Sequence, residues 1–295
     1  MTLVITNVFI IDYSCREIRV LKILYLSPIR SWLRHLGLTK LLVLPRTIKS
    51  QLRNAEYQRK QPEKVEVKVG EYTANLLVAD IIEYSRVLSF QEDYRIIETL
   101  LNRVLSGDSY WDIGANIGLY SVLLAKAVGE SGRVFAFEPE ERAGNRLQQN
   151  VTVNNLSNVR IFPIALGRDR ARLKLSVSQH ASSGTHSLVI PENEVSTTTT
   201  VDVDVIPGDE LRKQEQINVP TAIKVDVEGA EEEVLAGLNE TLRHPDCKTV
   251  VCEIHFSVLE SRGMPEAPAR IERYLQECGF TRTFWLDYSH LVAYK

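Results

Sequence analysis

Short apolar runs alternate with amphipathic stretches along most of the chain after residue 64. Runs rich in Val, Ile and Phe predict buried strands at residues 65–69, 72–78, 110–112, 134–137, 159–165, 222–226 and 249–254. Apolar positions three and four residues apart predict helices at residues 90–105, 119–128, 141–153, 230–242 and 268–278. Strands that alternate with helices are typical of an α/β fold with a doubly wound, mostly parallel sheet.

Two β-hairpins interrupt this alternation. Residues 171–177 and 196–205 alternate in polarity on either side of a polar loop, and they predict a β-hairpin excursion appended to the sheet. Residues 280–286 and 291–294 predict a terminal antiparallel hairpin. The fold class predicted from the pattern is therefore α/β with these two β additions.

The N-terminal part differs from the rest in charge. Residues 1–64 contain twelve Lys or Arg and four Asp or Glu, although the whole chain of 295 residues has a net charge of −3. Residues 20–57 have a helical pattern that Pro28 and Pro45 divide into pieces. We therefore predict a basic helical extension at residues 1–64 and a main α/β domain at residues 65–295. The extension either packs on that domain or makes peripheral contact with an anionic membrane through residues 20–60.

Composition limits the partners and the compartment. The acidic remainder lacks the basic groove that nucleic acid demands, so we expect no nucleic-acid partner. Cys15, Cys247, Cys252 and Cys278 form no C-x-x-C pair, which indicates neither a zinc site nor a disulfide framework. Residues 1–11 are apolar but too short to span a bilayer. We expect a cytoplasmic protein, with membrane association as the alternative.

A glycine turn follows the strand that ends at Asp112. Gly114 and Gly118 bracket the turn, and a helix begins at Leu119. Such a turn lets the backbone approach a ligand closely, and the free N–H groups at the helix start can bind a carboxylate or phosphate. The next strand ends at Glu138, about 20 positions beyond the turn, which suits the hydroxyls of a bound ribose. A strand, turn and helix without a ligand is the alternative.

Several motifs resemble the FkbM family of S-adenosylmethionine-dependent O-methyltransferases. They are residues 112–121 (DIGANIGLYS), 136–139 (AFEP) and 223–231 (IKVDVEGAE), Asn150 with Asn154, Ala165-Leu166 and Ser187-Leu188. The resemblance runs from about residue 90 to residue 255, and the stretch 223–231 is far more specific than a glycine turn. It implies a Rossmann-like class I methyltransferase with S-adenosylmethionine as cofactor. A nicotinamide cofactor is less well supported, because the turn does not spell G-x-G-x-x-G.

The resemblance also implies the parts of the cofactor site. The glycine turn holds the methionine part, the acidic residue at the end of the second strand holds the ribose, and the chain near Ala165 holds the adenine. An aspartate at the turn can meet the cofactor's ammonium group, and an asparagine there offers both a donor and an acceptor. The expected cofactor-binding residues are Asp112, Gly114, Asn116, Gly118, Glu138 and Ala165.

Methyl transfer to a hydroxyl requires the acceptor to lose its proton, which needs a positioned base or a metal. Candidate groups follow two strands of the predicted sheet: Lys224, Asp226, Glu228 and Glu231 after one, and Glu253 and His255 at the other. We predict His255, Asp226 and Glu228 as the catalytic residues, with helix capping as the alternative role for the carboxylates. A divalent cation could bind there, but none is expected, because no His-rich ligand set accompanies them.

The expected acceptor is a hydroxyl of a sugar, a glycan or a polyketide-like small molecule. A nucleic-acid or other N-methyltransferase of the same fold is the first alternative. It usually carries Asn/Asp-Pro-Pro-aromatic after the fourth strand, where this chain has Asp226-Val-Glu-Gly. A non-catalytic cofactor-binding module is another alternative. The loop 180–186 either closes over substrate or is a solvated loop.

Overall fold

The computed structural model describes residues 39–92, 94–177 and 199–295. The chain divides into two compact units, Met1–Glu56 and Tyr57–Lys295. Helix α1 (Thr39–Lys60) continues through Pro45, so the predicted break at that proline is wrong. A proline removes one helical hydrogen bond without ending every helix. The boundary at residue 64 stays a prediction. The rest of the N-terminal pattern, the loop 180–186 and Ser187-Leu188 lie outside the described residues.

Twelve strands and ten helices make up the described part of the chain. The strands are β1 (Lys64–Val69), β2 (Tyr72–Leu77), β3 (Ser109–Ile113), β4 (Arg133–Phe137), β5 (Val159–Phe162), β6 (Ala165–Leu166), β7 (Ala171–Val177), β8 (Thr199–Ile206), β9 (Ala222–Val225), β10 (Thr249–Glu253), β11 (Arg282–Trp285) and β12 (His290–Tyr294). The helices after α1 are α2 (Ile81–Glu92), α3 (Arg95–Leu101), α4 (Leu119–Val128), α5 (Glu141–Val153), α6 (Gly208–Gln214), α7 (Glu231–Ala236), α8 (Asn239–Arg243), α9 (Phe256–Ser261) and α10 (Ala267–Glu277).

The main sheet has seven strands in the order β11-β12-β10-β9-β3-β4-β5. Strands β5, β4, β3, β9 and β10 run parallel, and β12 is antiparallel to both of its neighbours. The prediction of a doubly wound, mostly parallel sheet with a terminal hairpin is confirmed. Strand order reverses between β3 and β9, and in open α/β sheets a ligand binds outside the carboxyl ends of the strands at such a switch point.

The central strands are buried on both faces. On one face Trp111 lies 5.0 Å from Phe137, whose ring stacks on Phe162 at 5.3 Å between centroids. On the other face Tyr110 belongs to a second apolar cluster that includes Val122 of α4. Two covered faces explain why these strands appear in the sequence as continuous apolar runs.

Three sequence predictions are wrong in detail. The excursion forms a three-stranded sheet of its own, β6-β8-β7, and the predicted strand 159–165 divides between this sheet and the main one. The predicted helix 90–105 covers α3 and only the last three residues of α2, so most of α2 was not predicted. The predicted helix 230–242 is interrupted at Gly237, where a Cβ would lie 1.9 Å from the carbonyl oxygen of Gly167.

The predicted hairpin β1–β2 is confirmed, and two asparagines of the α5 region hold its edge. Asn154 donates to the carbonyl of Asn75 at 2.6 Å and accepts from its N–H at 2.9 Å. Asn150 accepts from the N–H of Leu77 at 2.7 Å and donates to the carbonyl of Ile117 at 2.8 Å. The hairpin is thereby hydrogen-bonded, through Asn150, to the glycine turn.

Within the described ranges, none of the helices combines the length and the apolar character needed to cross a membrane.

Candidate active site

The glycine turn requires its glycines. Gly114 has a φ of +77°, and a Cβ there would lie 1.8 Å from the carbonyl oxygen of Asp226. Gly118 has a φ of +84°, and a Cβ would lie 2.1 Å from Cδ1 of Leu147. Positive φ disfavours other residues even without a collision. The turn therefore brings the backbone after β3 against the backbone after β9.

Glu138 joins the turn to the end of β4. Its Oε2 accepts a hydrogen bond from the N–H of Asn116 at 2.8 Å, and its Oε1 accepts one from the N–H of Glu140 at 2.8 Å. The side chain is almost fully buried. Burial raises the pKa of Glu138 to about 7, although the two backbone hydrogen bonds act in the opposite direction. A carboxylate that keeps free lone pairs in this position can accept two further hydrogen bonds.

Asp112 is fully buried beneath the turn. Its Oδ2 accepts a hydrogen bond from the hydroxyl of Ser121 at 2.6 Å. Its Oδ1 accepts none from the residues that the structure describes, and Nζ of Lys224 lies 3.5 Å from it. Asp112 thus combines a fixed orientation with an unused acceptor oxygen.

Lys224 connects the turn to the strand end that follows β9. Its Nζ lies 3.2 Å from Oδ2 of Asp226, 3.4 Å from the carbonyl oxygen of Gly114 and 4.8 Å from the ring centre of Tyr120. Burial lowers the pKa of Lys224, but the charges of Asp226 and Asp112 outweigh this and raise it. Lys224 is therefore a buried cation that the sequence offered only as a candidate without a role.

The three predicted catalytic side chains come together. Nδ1 of His255 lies 2.7 Å from Oε1 of Glu231, and Nε2 lies 3.4 Å from Oε2 of Glu228 and 3.7 Å from Oδ1 of Asp226. Glu231 is fully buried, and its Oε1 also accepts from the N–H of Gly229 at 2.9 Å. One imidazole nitrogen is thus held by a buried carboxylate, and the other faces the two carboxylates that follow β9.

Local backbone geometry produces this cluster. Asp226 donates its N–H to the carbonyl of Ile113 at 3.0 Å, which continues the pairing of β9 with β3 by one residue. Glu228 and Gly229 then have φ values of +51° and +93°, and α7 begins at Glu231. Glu231 bonds the backbone just before α7 as well as His255, so a role at the helix start and a role in the site coexist.

The charges around His255 shift the pKa values of the cluster. Burial lowers the pKa of His255, but the hydrogen bond to Glu231 and the charges of Glu228 and Asp226 outweigh it and raise the value to about 9. Burial raises the pKa of Glu228 to about 7, against the effect of His255. The pKa of Asp226 is lowered, because the attraction of Lys224 and His255 exceeds the effect of its burial.

A second histidine lies at the same edge of the sheet. Nε2 of His290 is 3.3 Å from Oε2 of Glu253, and Nδ1 is 3.0 Å from both carboxylate oxygens of Asp287. Burial lowers the pKa of His290, and its carboxylate neighbours raise it overall. The sequence predicted Glu253 as a candidate but gave no signal for His290, because Glu253 becomes its neighbour only through the pairing of β10 with β12.

Arg86 of α2 is a further residue that sequence reasoning missed. The half-buried guanidinium experiences the charges of Asp226, Glu228, Glu138 and Glu253, although desolvation outweighs them and lowers its pKa. A signal for α2 was present in Asp80-Ile-Ile-Glu83. Oδ1 of Asp80 accepts from the N–H groups of Ile82 and Glu83 at 2.8 Å, as an N-cap does.

Two expectations about the site stay predictions. Ala165 lies in β6, buried in a small apolar cluster with Val205 and Ala230, and no contact there tests its assignment to adenine. Donor atoms of Asp226, Glu228 and His255 all lie within 4.8 Å of one another. That spacing would allow a shared divalent cation, which we did not expect.

Known proteins with similar sequences are methyltransferases. Hexuronic acid methyltransferase AglP of Haloferax volcanii is 31% identical over 192 residues, which cover 64% of this chain and 74% of that protein. Methyltransferase 1 of Beauveria bassiana is 30% identical over 184 residues, which cover 54% and 73%. An O-methyltransferase structure from Thermotoga maritima covers 79% of this chain and 77% of its own, at 16% identity and a TM-score of 0.41.

The family model for the methyltransferase FkbM domain matches residues 112–281, which is more than half of the chain. The matched range begins at Asp112 and includes the glycine turn, Glu138 and the whole cluster around His255. The implied fold, cofactor and class of enzyme are thereby confirmed, and the non-catalytic module is excluded. The chain belongs to the FkbM-domain family and is an S-adenosylmethionine-dependent methyltransferase.

Proposed function

We propose that this enzyme methylates a hydroxyl group of a sugar or glycan. One observation carries the proposal: His255 is held by Glu231 at Nδ1 and presents Nε2 toward the ends of the strands. A histidine oriented by a buried carboxylate is the arrangement by which proteins activate hydroxyl groups. A weakly acidic alcohol needs such a base before it can attack a methyl group.

We propose Asp112, Gly114, Asn116, Gly118 and Glu138 as the residues that hold the cofactor, and the geometry fits that group. The two glycines leave a cradle that a Cβ would fill. Glu138 keeps acceptor capacity for ribose hydroxyls beside its two backbone hydrogen bonds. The unused Oδ1 of Asp112 suits a cationic donor such as the ammonium group. Ala165 remains the proposed neighbour of the adenine.

In the proposed mechanism, S-adenosylmethionine supplies an electrophilic methyl group. Neutral His255 accepts the hydroxyl proton at Nε2, and Glu231 stabilises the imidazolium that forms. Asp226 and Glu228 accept hydrogen bonds from the acceptor and align its oxygen. Because Glu228 has a pKa of about 7, it is the alternative base at neutral pH. Lys224 keeps Asp226 ionised and oriented.

The carboxylates of the site and the sequence similarity to a sugar methyltransferase support a sugar acceptor. The name of AglP, a relative that is 31% identical, identifies hexuronic acid as the substrate of that protein. Carboxylates such as Asp226, Glu228 and Glu253 accept hydrogen bonds from hydroxyls well, which favours an acceptor with several hydroxyl groups. A polyketide-like hydroxyl remains the alternative within the same chemistry. We further propose that the reaction needs no metal; unchanged turnover in excess EDTA would support this, and loss restored by Mg²⁺ or Mn²⁺ would contradict it.

Location is proposed on separate grounds. In the described part of the chain, Cys247, Cys252 and Cys278 are free and buried, which agrees with a reducing, cytoplasmic compartment. Peripheral membrane contact through residues 20–60 stays a proposal. Sedimentation of the full chain with anionic and with neutral vesicles tests that contact.

Methyl transfer from isotope-labelled S-adenosylmethionine to methyl glucuronoside and methyl glucoside tests the function. We expect alkali-stable methyl ethers, formed much more slowly by His255→Gln. An alkali-labile methyl ester formed equally well by that variant would instead show carboxylate methylation, which needs no base. Transfer to neither sugar, with transfer to RNA or to a protein amine, would overturn the proposal.

A further inference from the structure

A row of polar side chains crosses three neighbouring strands at the carboxyl edge of the sheet. Cys252 pairs with Val225 in the parallel ladder, so Glu253 and Asp226 occupy the next register position. Glu253 is in turn paired with His290 in the antiparallel ladder. Because neighbouring strands lie about 4.8 Å apart, Glu253 stands one strand beyond Asp226.

Glu253 is held in a defined orientation. Its Oε2 lies 3.3 Å from Nε2 of His290, and the other nitrogen of that ring lies 3.0 Å from the carboxylate of Asp287. Asp287 is fixed because its Oδ1 accepts the N–H groups of Ser289 and His290 at 2.8 Å. The carbonyl of Ser289 accepts from the N–H of Ile254 at 2.8 Å, which ties this turn to the end of β10. Two carboxylates and a histidine thus form a rigid chain.

That chain ends in an open acceptor. The side chain of Glu253 is 29% exposed, whereas those of His290 and Asp287 are 11% and 14% exposed. Among the described residues, none donates a hydrogen bond to Oε1 of Glu253. The charge of Glu253 acts on Lys224 and Tyr120, so the carboxylate shares the crevice with the candidate catalytic groups.

We propose that Glu253 binds a second hydroxyl of the acceptor, on the ring carbon next to the methylated hydroxyl. Asp287 and His290 act as positioning residues for it. This inference rests on the proposed function and makes it narrower: the acceptor is a polyhydroxylated ring with two hydroxyls on adjacent carbons. One hydroxyl meets Asp226, Glu228 and His255, and its neighbour meets Glu253 one strand away.

The test uses the full chain, methyl glucuronoside and its monodeoxy derivatives. Removal of the methylated hydroxyl abolishes transfer, and removal of the neighbouring hydroxyl raises KM of the unaltered enzyme roughly 10- to 100-fold. Glu253→Gln raises KM for the parent glycoside by a similar factor, with kcat and the Kd for S-adenosylhomocysteine nearly unchanged. The variant and the unaltered enzyme then have the same KM for the derivative that lacks the neighbouring hydroxyl.

Two further variants and a control complete the experiment. Asp287→Asn raises KM by a smaller factor and leaves kcat unchanged, as expected for a residue that acts through His290. Glu260→Gln changes an exposed glutamate of α9 and leaves both constants as they are.

An unchanged KM in a folded, active Glu253→Gln variant overturns this inference and leaves the proposed function standing. If the variant does not fold, equal KM values of the unaltered enzyme for the parent and every active deoxy derivative overturn it. Failure of the unaltered enzyme to methylate any sugar hydroxyl overturns both proposals.

Discussion

The two halves of the crevice are built in different ways. On the proposed cofactor side, Asp112 to Glu138, the important groups lie close together in sequence, and the shape depends on backbone hydrogen bonds and positive φ angles. On the acceptor side, Asp226 to His290, the shape depends on side chains that meet from separate strands and share charge. We infer that the first half is specified by steric necessity and the second by electrostatic balance.

The largest effect is expected from Gly114→Ala, which disrupts the close backbone contact in the half from Asp112 to Glu138. A Cβ would lie 1.8 Å from a carbonyl oxygen at a φ of +77°, so the two backbones must separate. We expect loss of cofactor binding and a decrease of about 2–6 kcal/mol in the free energy of unfolding. Denaturant unfolding and calorimetric titration measure both. Gly70→Ala is the matched control, because its φ is +57° with nothing within 4 Å, and it should cost only about 1 kcal/mol.

The second largest effect is expected on kcat from His255→Gln, in the half from Asp226 to His290. Loss of the general base should lower kcat roughly 10²- to 10⁴-fold, while the Kd for S-adenosylhomocysteine stays the same. His244→Gln serves as the control, since that histidine is well exposed and lies in the loop between α8 and β10. A decrease of less than about threefold in kcat would transfer the role of base to Glu228 or Asp226.

The pH dependence of kcat/KM distinguishes His255 from Glu228 as the base. His255 must be neutral to act, and its pKa of about 9 is above the ordinary value, so the rate should rise with pH. Between pH 7 and pH 9 we expect a rise of roughly 50-fold. Glu231→Gln replaces the charged partner of Nδ1 with a neutral amide, which lowers the pKa of His255, and it should move the rise to lower pH. If Glu228 were the base, the rate would level off near pH 8.

The smallest effect concerns Glu138. Its pKa of about 7 in the free protein is above the ordinary value, and ribose hydroxyls prefer the carboxylate. Affinity for S-adenosylhomocysteine should therefore increase between pH 6 and pH 8, with proton release on binding. We expect Glu138→Gln to weaken binding about 10-fold and to remove this pH dependence. Calorimetry in buffers with different ionisation enthalpies detects the proton, and a pH-independent Kd of the unaltered enzyme would contradict the assignment.

The comparison also explains what could be predicted from the sequence. Short sequence motifs and hydrophobic periodicity predict the glycine turn, Glu138 and the main sheet. The predicted bounds of α5 agree with the observed ones. The contacts of Asn150 and Asn154 with the β1–β2 hairpin could not be derived, because their partners in that hairpin lie more than seventy positions away in the chain. The stretch 223–231 indicated function but not geometry. The pairing of His255 with Glu231 depends on how α7 and β10 pack.

The helix α2 was missed for a different reason. Its N-cap at Asp80, followed three residues later by Glu83, was a local signal that the sequence prediction did not use. At Gly237 the error is the opposite one, because the sequence predicted a continuous helix. The close approach of the Gly167 carbonyl interrupts that helix. Arg86 and His290 could be assigned to the crevice only after strands and helices were placed.

The position of β9 between β3 and β10 has a consequence for the order of folding. Asn116 meets Glu138 across 22 positions of sequence, whereas Lys224 meets Gly114 across 110. Contacts across short loops form early, and long loops close later at a greater entropic cost. During synthesis the glycine turn can form its hydrogen bond to Glu138 long before β9 leaves the ribosome. Strand β9 is then added beside β3, and β10 with the terminal hairpin completes the edge with the reactive groups last.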